Sequence, residues 1–158
     1  MIKSFLFWFW RFVPLPFFIR YGLIWVFNQK FLIGVDGLIV SEDNKCLLFK
    51  HTYRKEYPWG LPSGYLKKGE GPDQALRREI YEESGIKVRI TGLLEAYQSQ
   101  QMPRIGLVYK GELMDAYQFI PSHEVQEAWF FAVDELPEIS PNQLSIVEKY
   151  CGVSRHSG

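Results

Sequence analysis

The stretch from Gly64 to Ile86, GYLKKGEGPDQALRREIYEESGI, constrains this chain more than any other part of it. It opens in a glycine-rich loop and passes into a helix with both ends encoded. Pro72 suits the first helical position, where its missing N–H costs nothing, and Gly85 suits the residue that closes a helix. Between them Glu79, Glu82 and Glu83 stand at i, i+3 and i+4. At ~100° per residue these carboxylates share an arc of about 100° on one face. Leu76 and Ile80 mark a neighbouring apolar stripe suited to docking on a sheet. Three like charges this close repel one another unless a cation sits among them. The donors are hard oxygens, so the expected ion is Mg²⁺, with Mn²⁺ as a substitute.

Written as a spacing, the stretch is G-x5-E-x7-R-E-U-x-E-E-x-G-U, where U is apolar. Gly64, Glu70, Arg78, Glu79, Ile80, Glu82, Glu83, Gly85 and Ile86 fill every fixed position. This resembles the Nudix box, the signature of hydrolases acting on nucleoside diphosphates linked to another moiety. The alternative is a solvated helix carrying Glu–Arg pairs. Such a face would alternate its charges, and it would not need glycines at both ends.

The resemblance implies an α+β fold, a Nudix-like α/β/α sandwich with a mixed β-sheet. It implies that Glu79, Glu82 and Glu83 are metal ligands, joined by the Gly64 carbonyl. Arg78 would orient carboxylates, and Glu70 would link loop to helix. The general base varies within the family, between the first Glu of the R-E pair and a Glu from a later loop; Glu127 is the candidate for the later position. The implied reaction is attack of water on one phosphorus of a P–O–P linkage in an ADP-sugar, dinucleotide or nucleoside triphosphate. Pro103, 17 residues past Ile86, is near the place of a proline that marks the ADP-sugar branch. Two other readings stay open: a non-catalytic Nudix-fold nucleotide-binding or regulatory module, and a membrane-surface protein acting through its N-terminus.

Outside the box the signals are weaker. His51, Arg54 and Trp59 precede the loop and are candidate substrate contacts, for a base or a phosphate. Lys55, Lys67 and Lys68 flank it too, read either as solvated cations or as phosphate contacts. His123 and His156 have no metal-ligand spacing with other His or Cys. Lys plus Arg and Asp plus Glu both number 18, which argues against binding nucleic acid by bulk charge. Cys46 and Cys151 are too few for a disulfide framework and read as core residues in a reducing, cytoplasmic setting.

Residues 1–31 stand apart from the Nudix-like domain expected at 32–151 and from a frayed tail at 152–158. They hold 12 of the chain's 26 aromatic residues, and through Val35 they carry four basic residues and no acidic one. Arg11, Pro14, Pro16 and Arg20 interrupt the apolar run short of the ~20 residues that span a bilayer. The segment also lacks an A-x-A-like cleavage site. It reads either as an extra element packed on the domain or across a homodimer, or as a bilayer-interface segment. In the second reading Trp8, Trp10 and Trp25 sit in the interface, with Lys3, Arg11, Arg20 and Lys30 facing headgroups.

Between these landmarks the pattern is mostly β. FLIGVDGLIV and KCLLFKHTY, joined by Ser41–Asn44, predict a hairpin. KVRITGLLEAYQS predicts a strand bulged at its glycine, and RIGLVYKGELM a strand bulged or turned at Lys110–Glu112. VQEAWFFAV predicts a further strand. Ser140 and Pro141 open a last helix with Leu144, Val147 and Cys151 on one stripe.

Overall fold

The computed structural model describes residues 16–99 and 102–151. The 152–158 tail with His156 and the first fifteen residues with Trp8, Trp10, Lys3 and Arg11 lie outside the described residues. The chain divides into two compact units, Met1–Lys30 and Phe31–Gly158. The first contains helix α1, Phe17–Phe27.

In the second unit the elements run β1 (Leu32–Ile39), β2 (Cys46–His51), β3 (Trp59–Gly60), β4 (Ser63–Tyr65), α2 (Pro72–Ser84), β5 (Val88–Gln98), β6 (Arg104–Leu113), β7 (Val125–Phe131) and α3 (Pro141–Cys151). A single 3₁₀ turn at Val133–Glu135 precedes α3. The strands form a four-stranded sheet, β4-β1-β6-β5, and a three-stranded sheet, β3-β2-β7. Among the described residues only the β1–β6 pair is parallel, so the first sheet is mixed.

β1 is buried along its last six positions because both of its faces carry a core. Val35 and Ile39 join Leu76 and Ile80 of α2 on one side. Leu38 joins Ile146, Val147 and Cys151 of α3 on the other. β2 is split the same way, Leu47 and Phe49 towards α2, Cys46 and Leu48 towards α3. These alternating strands hold helices on both faces, the layering of an α/β/α sandwich. Both cysteines are free and buried, and burial pushes the Cys46 thiol up to about 12.

The expected β1–β2 hairpin does not form. The turn is there: the Ser41 N–H donates to the Lys45 carbonyl at 2.9 Å, and Asn44 takes a positive φ of 58°. Pairing stops after one bridge, Val40 to Cys46. β1 has both edges taken by β4 and β6, so β2 crosses to the other sheet and pairs β3 and β7. The predicted bulge at the β5 glycine is present: the register skips between Ile90 and Gly92, and again between Leu93 and Glu95. β6 runs without a turn through Lys110–Glu112, because the extra residues sit on β5.

Candidate active site

Helix α2 carries the carboxylates, and its ends are built as the residue types demand. Pro72 is the first helical residue, and the Gly71 N–H donates to Gln74 Oε1 at 3.0 Å. Gly85 closes the helix at φ 70°, a left-handed conformation that a side chain would strain. Ala75, Leu76, Ile80 and Ser84 are buried against the sheet. That docking sets the Glu79–Glu83 face against β4 and the loop that follows it.

Arg78 organises this face. Its Nη2 and Nε donate to Glu70 Oε1 and Oε2 at 2.8 and 2.9 Å, a bidentate clamp across the loop–helix junction. Its Nη1 lies 2.8 Å from Glu79 Oε1 and 3.1 Å from Glu82 Oε2, and Nη2 also reaches the Tyr65 carbonyl at 3.2 Å. One guanidinium thus holds three carboxylates and the backbone beside Gly64. The hydrogen bonds from Arg78 pull the Glu70 carboxyl down to about 2.

Gly64 and Glu79 meet at contact that no side chain at 64 would permit. A Cβ there would lie 2.1 Å from Glu79 Cγ. Glu79 therefore packs directly on the β4 backbone, where Gly64 pairs with Val35 of β1.

Glu83 is in the opposite electrostatic situation. Its Oε2 is buried and has no hydrogen-bond partner. Burial pushes its carboxyl up to about 7, helped by the charges of Glu124 and Glu79 and opposed by Arg54. A buried, unpaired carboxylate oxygen beside further carboxylates is the chemistry that a divalent cation resolves. Among the described residues no three His, Cys, Asp or Glu side chains already form a metal cage. Arg78 draws Glu79 and Glu82 to itself. The donor set fits a hard cation that would compete with Arg78 for those oxygens.

Glu124 is the acidic residue that sequence reasoning missed. It precedes β7, its carbonyl accepts the Thr52 N–H at 2.9 Å, and its charge acts on Glu83 more strongly than that of Glu79. Glu127, three residues on, is engaged elsewhere. It pairs with Lys50 across β2–β7 at 2.7 Å, and that ammonium holds its carboxyl below the usual range. The Lys50–Glu127 register places both side chains on the same face of the second sheet, whereas Glu124 precedes the strand. A Glu just before Val125 offered no signal of its own.

Two of the three substrate-contact candidates are turned towards the protein interior. His51 is 3% exposed at the end of β2, with neither ring nitrogen hydrogen-bonded, and burial pushes it down to about 4. It has no surface to offer a ligand. Trp59 packs edge to face on Phe131 at 5.2 Å, which commits its ring to the α3-side core. Arg54 remains beside the carboxylates, acting on both Glu83 and His51, and packs over Gly60.

A second polar cluster was not foreseen. Asp36, 2% exposed in mid-β1, receives Arg104 Nη2 on both oxygens at 3.2 Å and the Tyr97 hydroxyl at 3.0 Å. Gly34 provides the seat: a Cβ there would lie 2.2 Å from Arg104 Nε. The Tyr65 ring, next to Gly64, lies 5.6 Å from the Arg104 guanidinium. A charge inside the apolar run FLIGVDGLIV was the available signal, but it did not name the partner. A recess of about 920 Å³ lies elsewhere, beside the Ser41–Asn44 turn and Gly111–Tyr117, and no residue of α2 lines it.

Against known proteins, the model of the NUDIX domain matches residues 30–150. The chain is similar to an ADP-ribose pyrophosphatase of Methanocaldococcus jannaschii, 32% identical over 126 residues that cover 75% of this chain and 72% of the relative. Among solved structures it is similar to a NUDIX hydrolase from Nitrosomonas europaea. That match has a TM-score of 0.73 at 25% identity and covers 80% of this chain and 73% of the other. It is also similar to a UDP-X diphosphatase, with a TM-score of 0.67 at 25% identity and coverage of 96% and 79%.

Proposed function

The chain belongs to the NUDIX family of hydrolases, and from that premise we propose that it is a divalent-metal-dependent pyrophosphohydrolase of nucleoside diphosphate derivatives. The observation that carries this reading is the unpaired, buried Glu83 oxygen beside Glu79 and Glu82, on a helix docked against Gly64. The catalytic domain in this reading is 32–151. A non-catalytic module would have no use for a carboxylate face kept this costly.

Glu79, Glu82 and Glu83, with the Gly64 carbonyl, would hold Mg²⁺ or Mn²⁺. When bound, the cation neutralises pyrophosphate charge and polarises a phosphoryl oxygen. The protein groups do the rest. Arg78, anchored by Glu70, gathers Glu79 and Glu82 on one face, from which a cation would draw their oxygens. Glu124 accepts the proton of the attacking water, being the loop carboxylate nearest in effect to Glu83. The water oxygen bonds to one phosphorus, the bridging P–O bond breaks, and the leaving phosphate carries away the electron pair. The products are a nucleoside phosphate and a second phosphorylated compound. Arg54 supplies positive charge on the same side, suited to a phosphate. The two free thiols suit a reducing, cytoplasmic setting.

The test is a panel of ADP-ribose, other nucleoside diphosphate sugars, dinucleotide polyphosphates and nucleoside triphosphates with Mg²⁺ and Mn²⁺, scoring phosphorylated products. ADP-ribose heads the panel because the Methanocaldococcus relative is named for it. Turnover of at least one member is expected, with Glu82→Gln lowering kcat by about 10²-fold or more. Near wild-type, metal-dependent turnover by that variant would sink the ligand assignment. No turnover of any member would favour the binding-module reading.

A further inference from the structure

We propose that α1, with the basic residues around it, seats this protein on an anionic lipid surface. Nine of its eleven residues are Phe, Ile, Tyr, Leu, Trp or Val, and its one charged residue is Arg20. At ~100° per residue the apolar side chains run round the whole circumference instead of forming one stripe. A helix of this composition is stable in water only when something covers it. No residue of α1 is buried: Phe27, Phe17 and Phe18 are 81%, 78% and 72% exposed.

Three observations identify the cover as lipid rather than a protein groove. A groove takes one stripe of a helix, whereas apolar side chains on every side ask for a surrounding apolar medium. The charge is one-sided: through Val35 the chain carries Lys3, Arg11, Arg20 and Lys30 and no acidic residue, which matches a surface of phosphates. At the C-terminal end of α1, Lys30 Nζ lies 3.7 Å from the centroid of the Trp25 ring. An indole with an ammonium beside it suits the boundary between acyl chains and headgroups.

The depth follows from length. Eleven residues of helix reach only ~17 Å, about half the ~30 Å of a hydrocarbon core. No helix among the described residues is long and apolar enough to cross a membrane. Pro16 caps the helix at its start, and at its end the Asn28 side chain donates to the Ile24 carbonyl at 2.7 Å. The helix is therefore a closed unit that enters one leaflet.

The experiment is flotation of the full chain with phosphatidylcholine vesicles, with and without phosphatidylglycerol. Co-flotation with the anionic vesicles is expected. Arg20→Glu/Lys30→Glu should weaken it at least about tenfold, since each basic residue near the surface contributes about fivefold in affinity. Trp25→Ser/Phe27→Ser should abolish it without changing hydrolysis of a soluble substrate. A chain that stays with the unbound fraction overturns the proposal, and so does equal flotation with neutral vesicles. A dimer that forms through α1 and does not float would assign the helix to a second copy instead.

Discussion

Glu124 and Glu127, three residues apart, meet different partners, which separates the proposed general base from a carboxylate held in an ion pair. Glu127 is locked to Lys50 across two strands, while Glu124 sits where β7 has not yet begun and contributes to the field on Glu83. Glu124→Gln is expected to lower kcat by about 10²–10⁴-fold with little change in KM, as loss of a general base does. Glu127→Gln should stay within a few-fold of wild type; the reverse ranking in steady-state kinetics would return the base to Glu127. His51 makes a separate prediction. Its imidazole titrates near 6.5 when unfolded and near 4 when folded, so between those values the unfolded state binds a proton that the folded state refuses. Stability therefore falls as pH drops through that window, by on the order of 3 kcal/mol, and levels off below it. Replacing the ring by His51→Leu removes two unpaired nitrogens and this pH dependence together. Denaturant melts at pH 8, 6 and 4 should show the stability difference between variant and wild type shifting in the variant's favour as pH falls. Parallel curves would mean that His51 protonates freely in the folded chain.

The loop and helix work as one element because Gly64 admits Glu79 and because Arg78 clamps Glu70. Gly64→Ala tests the first of these contacts. Its Cβ would overlap Glu79 Cγ, so Glu79 must leave the β4 backbone by an ångström or more. A displacement of that size costs about 10²-fold in turnover, even where the fold survives. The measurement is kcat at saturating Mg²⁺ alongside thermal unfolding. An unchanged kcat would show that the packing of Glu79 on Gly64 is not needed. Both ends of α2 were legible in the sequence, because a proline start and a glycine stop are local events. The β1–β2 hairpin was misread for the converse reason. A turn and two apolar runs suggest pairing, yet which edge a strand meets depends on β4 and β6, which are remote in sequence.

Across the molecule, the Asp36–Arg104–Tyr97 cluster ties β1, β6 and β5 together beneath Tyr65. Burial works against the Arg104 charge, and Asp36 together with Tyr97 and Tyr65 more than restores it. Arg104→Ala would leave a carboxylate in the core without its cation, at a cost of about 3–5 kcal/mol. Asp36→Leu/Arg104→Met removes both charges and should recover most of that loss. Unfolding midpoints in urea distinguish the two variants. Equal destabilisation would mean that the cluster contributes through packing and not through charge.

Local chemistry wrote the carboxylate helix, its caps, its docking stripe and the family to which the chain belongs. Each depends on residue types at fixed short spacing, and helical geometry converts that spacing directly into a face. Tertiary structure alone decided that Glu124 acts on Glu83 while Glu127 pairs with Lys50, that His51 is buried and Trp59 packs against the core, and that Asp36 has Arg104 as its partner. Those outcomes depend on strand register and on which sheet each strand joins. Both are settled by contacts between residues tens of positions apart, and no short spacing encodes them. The carboxylate face is written along the Gly64–Ile86 stretch; the groups that surround it are brought there by the fold.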